Sequence, residues 1–262
     1  MICHPGGPGF SSRYFEDLAG LHEERSLILL DPRGTGGSDR PADARAYAMD
    51  DYITDLEELR RHLGIEQFDL LGHSFGGFVA IAYAALHPGR VRRLVLVSTL
   101  ARFSDEQAEA VRTISARHSS EPWYQDALAA LAEEERSSEM SDAELGAIVA
   151  RELPLYFARY DGRATAFVQM ISQEGPNFDA LALFNREIMP VFNLVPRLSA
   201  IPSPTLVITG LEDFITGPVC AREIAAGIPD ARLVILPDTG HFIFHESPAE
   251  FRRHVARFLN ET

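Results

Sequence analysis

The chain has 262 residues, 46% of them hydrophobic, and its 24 basic against 38 acidic residues give a formal net charge of -14. This length suits one α/β domain, with or without an insertion, and can bury a substantial core. The acidic balance has no basic run or arginine-aromatic interleaving, so nucleic acid is not an expected partner; every basic residue is arginine, which removes lysine Schiff-base chemistry.

Two cysteines, Cys3 and Cys220, are too few for a disulfide framework or a structural zinc site. A reducing, cytoplasmic setting is expected, with no metal and no organic cofactor. No stretch approaches the roughly 18 apolar residues needed to span a bilayer, and no signal peptide is legible, so no membrane partner is expected either.

In chain order, short aliphatic runs alternate with amphipathic segments. The pattern predicts a strand over 26–31, a helix over 50–63 closed by Gly64, a strand over 68–71, a helix over 75–86 stopped by Pro88, and a strand over 93–98. From Leu100 to about Leu198 the strand signal disappears. Alanine, glutamate and arginine dominate there, and Ser104, Ser141 and Asn177 mark helix starts. The alternation then resumes with a strand over 205–209, a helix over 218–226, a strand over 232–236 and a helix over 248–259. The expected fold class is α/β, a mostly parallel sheet flanked by helices. The core is residues 1–99 and 200–262, and 100–199 form an inserted all-helical cap.

The informative segment is Gly72-His73-Ser74-Phe75-Gly76-Gly77, between a predicted strand and a predicted helix. Glycine-x-serine-x-glycine in that context is a nucleophile elbow: the turn strains the serine backbone, and a larger side chain at Gly72 or Gly76 would collide with a neighbouring element. A serine hydroxyl needs a base and an acid to orient that base. Asp213 follows the strand over 205–209 and His241 follows that over 232–236, so Ser74, Asp213 and His241 occur in the order serine, aspartate, histidine. Glu212 and Asp238 are alternative acids and His245 an alternative base; the preferred readings are Glu212 solvated and His245 structural. His73 is expected to point away from substrate, and His4, His22, His62, His87, His118 and His254 to be surface, turn or helix-end residues. Donors for a developing oxyanion are expected from the Phe75 N–H and from the glycine-rich loop His4 to Gly9.

With these residues in place, the chain resembles the α/β-hydrolase superfamily and, within it, the proline iminopeptidase (prolyl aminopeptidase) branch. The matching segments are Pro5-Gly6-Gly7-Pro8-Gly9, Asp31-Pro32-Arg33-Gly34-Thr35-Gly36-Gly37-Ser38, Gly72 to Gly77, Gly210 to Asp213, and Gly240-His241. The resemblance implies that Gly7 supplies the second oxyanion N–H, that Gly7-Pro8 is a cis peptide, and that Arg33 is a structural organiser. It also implies acyl transfer to water through an acyl-enzyme, with a small molecule or short peptide as substrate. Gly6, Trp123, Tyr156 and Glu174 are the candidate substrate contacts.

Three departures stand out. Pro5 fills the branch's histidine position, with His4 displaced by one. The cap lacks the Trp-x-x-Trp-Glu segment that in the branch supplies a glutamate for the substrate's free amino group; Glu174, Glu187 or Glu152 are the possible substitutes. Finally, Met1-Ile2-Cys3 is all that remains of a strand expected between those over 26–31 and 68–71. Strands pair at about 4.8 Å, so a gap is expected unless upstream residues exist or the sheet order is altered. The functional alternatives are an iminopeptidase, an esterase, lactonase or carbon-carbon bond hydrolase, and a non-catalytic ligand-binding member of the fold.

Overall fold

The aliphatic runs pair into one parallel sheet. A computed structural model describes residues 1–173 and 175–261. Among them six strands, β1 Ile2–His4, β2 Ile28–Leu29, β3 Phe68–His73, β4 Val91–Val97, β5 Thr205–Gly210 and β6 Ala231–Leu236, lie in the order β2-β1-β3-β4-β5-β6. The gap expected beside β3 does not arise. Ile2 is opposite both Ile28 and Leu70, and Cys3 is opposite Leu29 and Leu71, so three residues bridge the flanking strands. β2 is shorter than expected for the same reason: its one neighbour offers only those rungs.

Alternation along the strands assigns side chains to two cores. Ile2, Leu70, Leu94, Leu96 and Val207 face one core, shared with α1 Met49–His62 and α2 Phe75–Leu86. Cys3, Leu71, Val95, Val97 and Ile208 face the other. Burial on both faces explains why these strands read as unbroken aliphatic runs. Each fully buried leucine or valine contributes about 1.5–3 kcal/mol relative to exposure.

Between β4 and β5 the described residues form no strand, and the longer elements there are helices: α3 Asp105–Ser115, α4 Tyr124–Arg136, α5 Asp142–Glu152, α6 Gly162–Gln173 and α7 Phe178–Leu183, which runs into a π-helical turn Phe184–Ile188. An antiparallel bridge between Arg102 and Asn193 joins the two ends of the segment. The three predicted helix starts are N-caps. Ser104 accepts from Gln107 N–H, Ser141 forms a capping box with Glu144, and Asn177 accepts from Ala180 N–H. After β5 come α8 Pro218–Gly227, whose Ile224 completes the first core, the single turn α9 Ile243–Glu246, and α10 Pro248–Asn260, whose Phe251 and Val255 complete the second. No helix among the described residues is long and apolar enough to cross a membrane.

Candidate active site

β3 ends at His73 and α2 begins at Phe75, leaving Ser74 alone in the turn with φ 53° and ψ -122°. A non-glycine residue held there costs about 1–3 kcal/mol, so its surroundings must fix it. Ser74 N–H donates to Val97 O at 3.0 Å, and its carbonyl accepts from the Thr99 hydroxyl at 2.8 Å. A Cβ at Gly76 would run into the backbone carbonyls of His4 and Pro5. The same loop also lies against Ser74 itself: a Cβ at Gly6 would sit 2.7 Å from that of Ser74. The Gly7-Pro8 peptide is cis.

Asp213 and His241 come together at the carboxyl ends of β5 and β6, where loops of an open parallel sheet converge. Asp213 is fully buried, and its Oδ2 is 3.1 Å from His241 Nδ1. The carboxylate also accepts from Thr216 N–H at 3.1 Å, Ile215 N–H at 3.2 Å and the Thr216 hydroxyl at 2.9 Å. Burial pushes the Asp213 pKa up, but His241 and the Thr216 bonds outweigh it and the net direction is down. An ionised Asp213 requires the proton on His241 Nδ1, leaving Nε2 as the basic nitrogen.

The alternatives lie elsewhere. Glu212 pairs with Arg117, and His245 packs on the Phe167 ring at 4.3 Å between centroids. Arg33 makes a bidentate pair with Asp55 and donates to Ala46 O, a bracing role. His4, expected at a surface or turn, is instead 1% exposed at the end of β1, edge-on to Tyr52 and Phe75; burial pushes its pKa down to about 4. The centrality of β1 puts it inside.

Gly6, Gly7, Ser74, Phe75, Tyr156 and His241 line one cavity of about 200 Å³ between the sheet and the helical insertion. Tyr156 reaches it from the insertion: its carbonyl accepts from His241 N–H at 2.7 Å and its ring stands edge-on to the imidazole. Trp123 is not among the lining residues; it packs with His118 and Tyr160. Its size suits the insertion's own core. Glu187 is exposed and paired with Arg186, and Glu174 lies outside the described residues.

Glu152 does line the cavity, together with Glu134 and Glu135, which sequence reading did not single out. Glu152 is 4% exposed, and its Oε2 has no hydrogen-bond partner. Burial first, and Glu134 second, hold its carboxyl well above the usual range; burial raises Glu134 too. The same cavity has many apolar lining residues, among them Phe75, Phe78, Phe103, Phe184 and Met189. The available signal was the run Glu133-Glu134-Glu135 closing an alanine-rich helix, which reads as a solvated face.

A family model for the alpha/beta hydrolase fold matches residues 1–248. The chain belongs to the α/β-hydrolase family. It is therefore a hydrolase, and its resemblance within that family runs to proline iminopeptidases. One from Lactobacillus helveticus is 30% identical over 272 residues, all of this chain and 90% of that one. A solved proline iminopeptidase from Mycobacterium smegmatis is 26% identical, with a TM-score of 0.74 over 98% of this chain and 88% of the other. An enol-lactonase from Burkholderia xenovorans LB400, also 26% identical, has a TM-score of 0.73 over 99% of this α/β-hydrolase and 91% of its own chain.

Proposed function

We propose that the chain is a serine hydrolase of the proline iminopeptidase type, releasing an N-terminal residue from small amides or short peptides in the cytoplasm, with 100–199 acting as a cap. His241 Nε2 takes the Ser74 proton as Oγ attacks the carbonyl carbon. Asp213 stabilises the imidazolium, and the Phe75 and Gly7 N–H groups hold the oxyanion, Phe75 with the help of the α2 N-terminus. Protonated His241 then gives its proton to the leaving amine, and water repeats the sequence on the acyl-enzyme.

The observation that carries the amine preference is the buried Glu152, with an unpartnered oxygen beside Glu134 on the cavity wall. A buried carboxylate demands a compensating cation, and the ammonium of an unblocked substrate supplies one; the cation in turn draws the proton out of the carboxyl pair. The aromatic wall suits an apolar ring or side chain. The raised Glu152 pKa supports a second reading: a neutral carboxyl donates a hydrogen bond to an ester or lactone oxygen.

Parallel assays on prolyl-arylamide, N-acetyl-prolyl-arylamide and a short p-nitrophenyl ester separate the two. Glu152→Gln is expected to lower kcat/KM on prolyl-arylamide by about 100-fold, as for loss of one buried charged partner, with ester turnover within about threefold. Ester cleavage without any prolyl-arylamide cleavage by the wild type would refute the iminopeptidase reading and leave the ester one.

A further inference from the structure

Three loops have to hold a fixed spacing around Ser74: the glycine loop at 4–9, the elbow, and the turn carrying His241. One buried chain of hydrogen bonds runs through all three. Gly6 N–H lies 2.5 Å from the Tyr14 hydroxyl, Tyr14 Oη lies 2.8 Å from His73 Nδ1, and His73 Nε2 lies 3.2 Å from the carbonyl oxygen of His241. Tyr14 is 5% exposed and His73 1%.

The two ends fix one donor and one acceptor. A backbone N–H only donates, so Tyr14 Oη accepts from Gly6. A carbonyl only accepts, so His73 carries a proton on Nε2. In a neutral ring Nδ1 is then the acceptor for the Tyr14 hydrogen, and one tautomer orders the whole chain. Burial, then the neighbouring His241, hold the His73 pKa well below the ordinary histidine value, in agreement.

The ends of the chain are the parts whose placement matters most. Gly6 lies against Ser74 and precedes Gly7. The His241 peptide is gripped at its carbonyl by His73 and at its N–H by Tyr156. We propose that Tyr14 and His73 are positioning residues for acyl transfer: their proton-ordered chain sets the separation between the oxyanion loop and the His241 imidazole. This rests on the serine-hydrolase reading of Ser74 and His241. His73, the elbow residue expected to face away from substrate, lines the cavity beside Ser74 together with Tyr14, and the role proposed for it acts through its neighbours.

Tyr14→Phe tests it, because the ring contacts to Phe15, Phe242 and Phe244 survive while the oxygen shared by both links is lost. Misplacing part of an oxyanion site is expected to cost about 10- to 100-fold in kcat on a p-nitrophenyl ester, with KM within about twofold. Affinity for an alkylboronic acid, a tetrahedral mimic, should fall by the same factor. Wild-type kcat together with wild-type boronate affinity in the variant would overturn the proposal. A second measurement needs no variant: nitrogen-15 NMR of the wild-type imidazoles should show His73 neutral and protonated on Nε2 from about pH 6 to 8. A proton on Nδ1, or titration within that range, would refute the chain. Fluorophosphonate labelling separates the two levels of argument, since a wild type not labelled at Ser74 removes the hydrolase reading and this proposal with it. Labelling with an unaffected Tyr14→Phe removes this proposal alone.

Discussion

Glu246 makes the sharpest pH prediction. Its Oε1 accepts from Gly240 N–H at 3.0 Å and its Oε2 from Ala158 N–H at 2.8 Å, tying the His241 turn to the helical insertion. Burial raises its pKa from an ordinary 4.5 to about 7, against the lowering by these two hydrogen bonds. The folded protein therefore binds this proton more tightly than the unfolded chain, so the associated stability is complete below about pH 4.5 and lost as pH rises through about 7. A change of that size corresponds to about 3 kcal/mol, an upper bound because the side chain is only partly buried. Glu246→Gln has no such proton to lose. Urea denaturation of both proteins from about pH 4 to 8 should show the variant gaining on the wild type by up to that amount, mostly between about pH 4.5 and 7. A constant offset, from the hydrogen bond that glutamine cannot accept, is compatible with this. Parallel stability curves, or a gap that moves the other way, would refute the reasoning.

Three further substitutions probe the frame. Asn177 is 2% exposed; it caps α7, donates to Gly34 O and Tyr47 Oη, and accepts from Arg40. Asn177→Ala should cost about 2–4 kcal/mol and lower Tm by roughly 5–10 °C in calorimetry. Gly76→Ala should abolish soluble expression or activity, because its Cβ meets backbone rather than a movable side chain. Gly162→Ala, at a position with nothing within 4 Å, should be neutral or stabilising by up to about 1 kcal/mol in the same assay.

The elbow was legible because backbone strain and close packing leave few sequences able to form it. The helix predicted over 75–86 is α2, and Ser104, Ser141 and Asn177 cap helices because a side chain that satisfies an orphan N–H acts locally. What failed to show was non-local. Three residues have no periodicity, so the place of β1 between β2 and β3, and with it the burial of His4, depends on partners 26 and 68 residues away. Of the three candidate glutamates only Glu152 faces the cavity among the described residues, and Glu134, in a run that reads as a solvated helix face, joins it there once α4 and α5 pack together. Trp123 misled in the opposite sense: a large aromatic suggests a pocket wall, and here it packs among other rings.

The contacts at Tyr156 and Ala158 also bear on how a substrate reaches Ser74. The insertion is fastened to the His241 turn by the Tyr156 carbonyl and, through Glu246, by Ala158 N–H. Swinging all of residues 100–199 away as one body would break these bonds and pull the imidazole out of line with each opening. A path that leaves 156–158 in place keeps both bonds, and Arg40, paired with Asp142 at the start of α5, ties that helix to the core as well. On the proposed reading, substrate entry and the alignment of the His241 imidazole are therefore coupled through one short segment of the chain, 156–158.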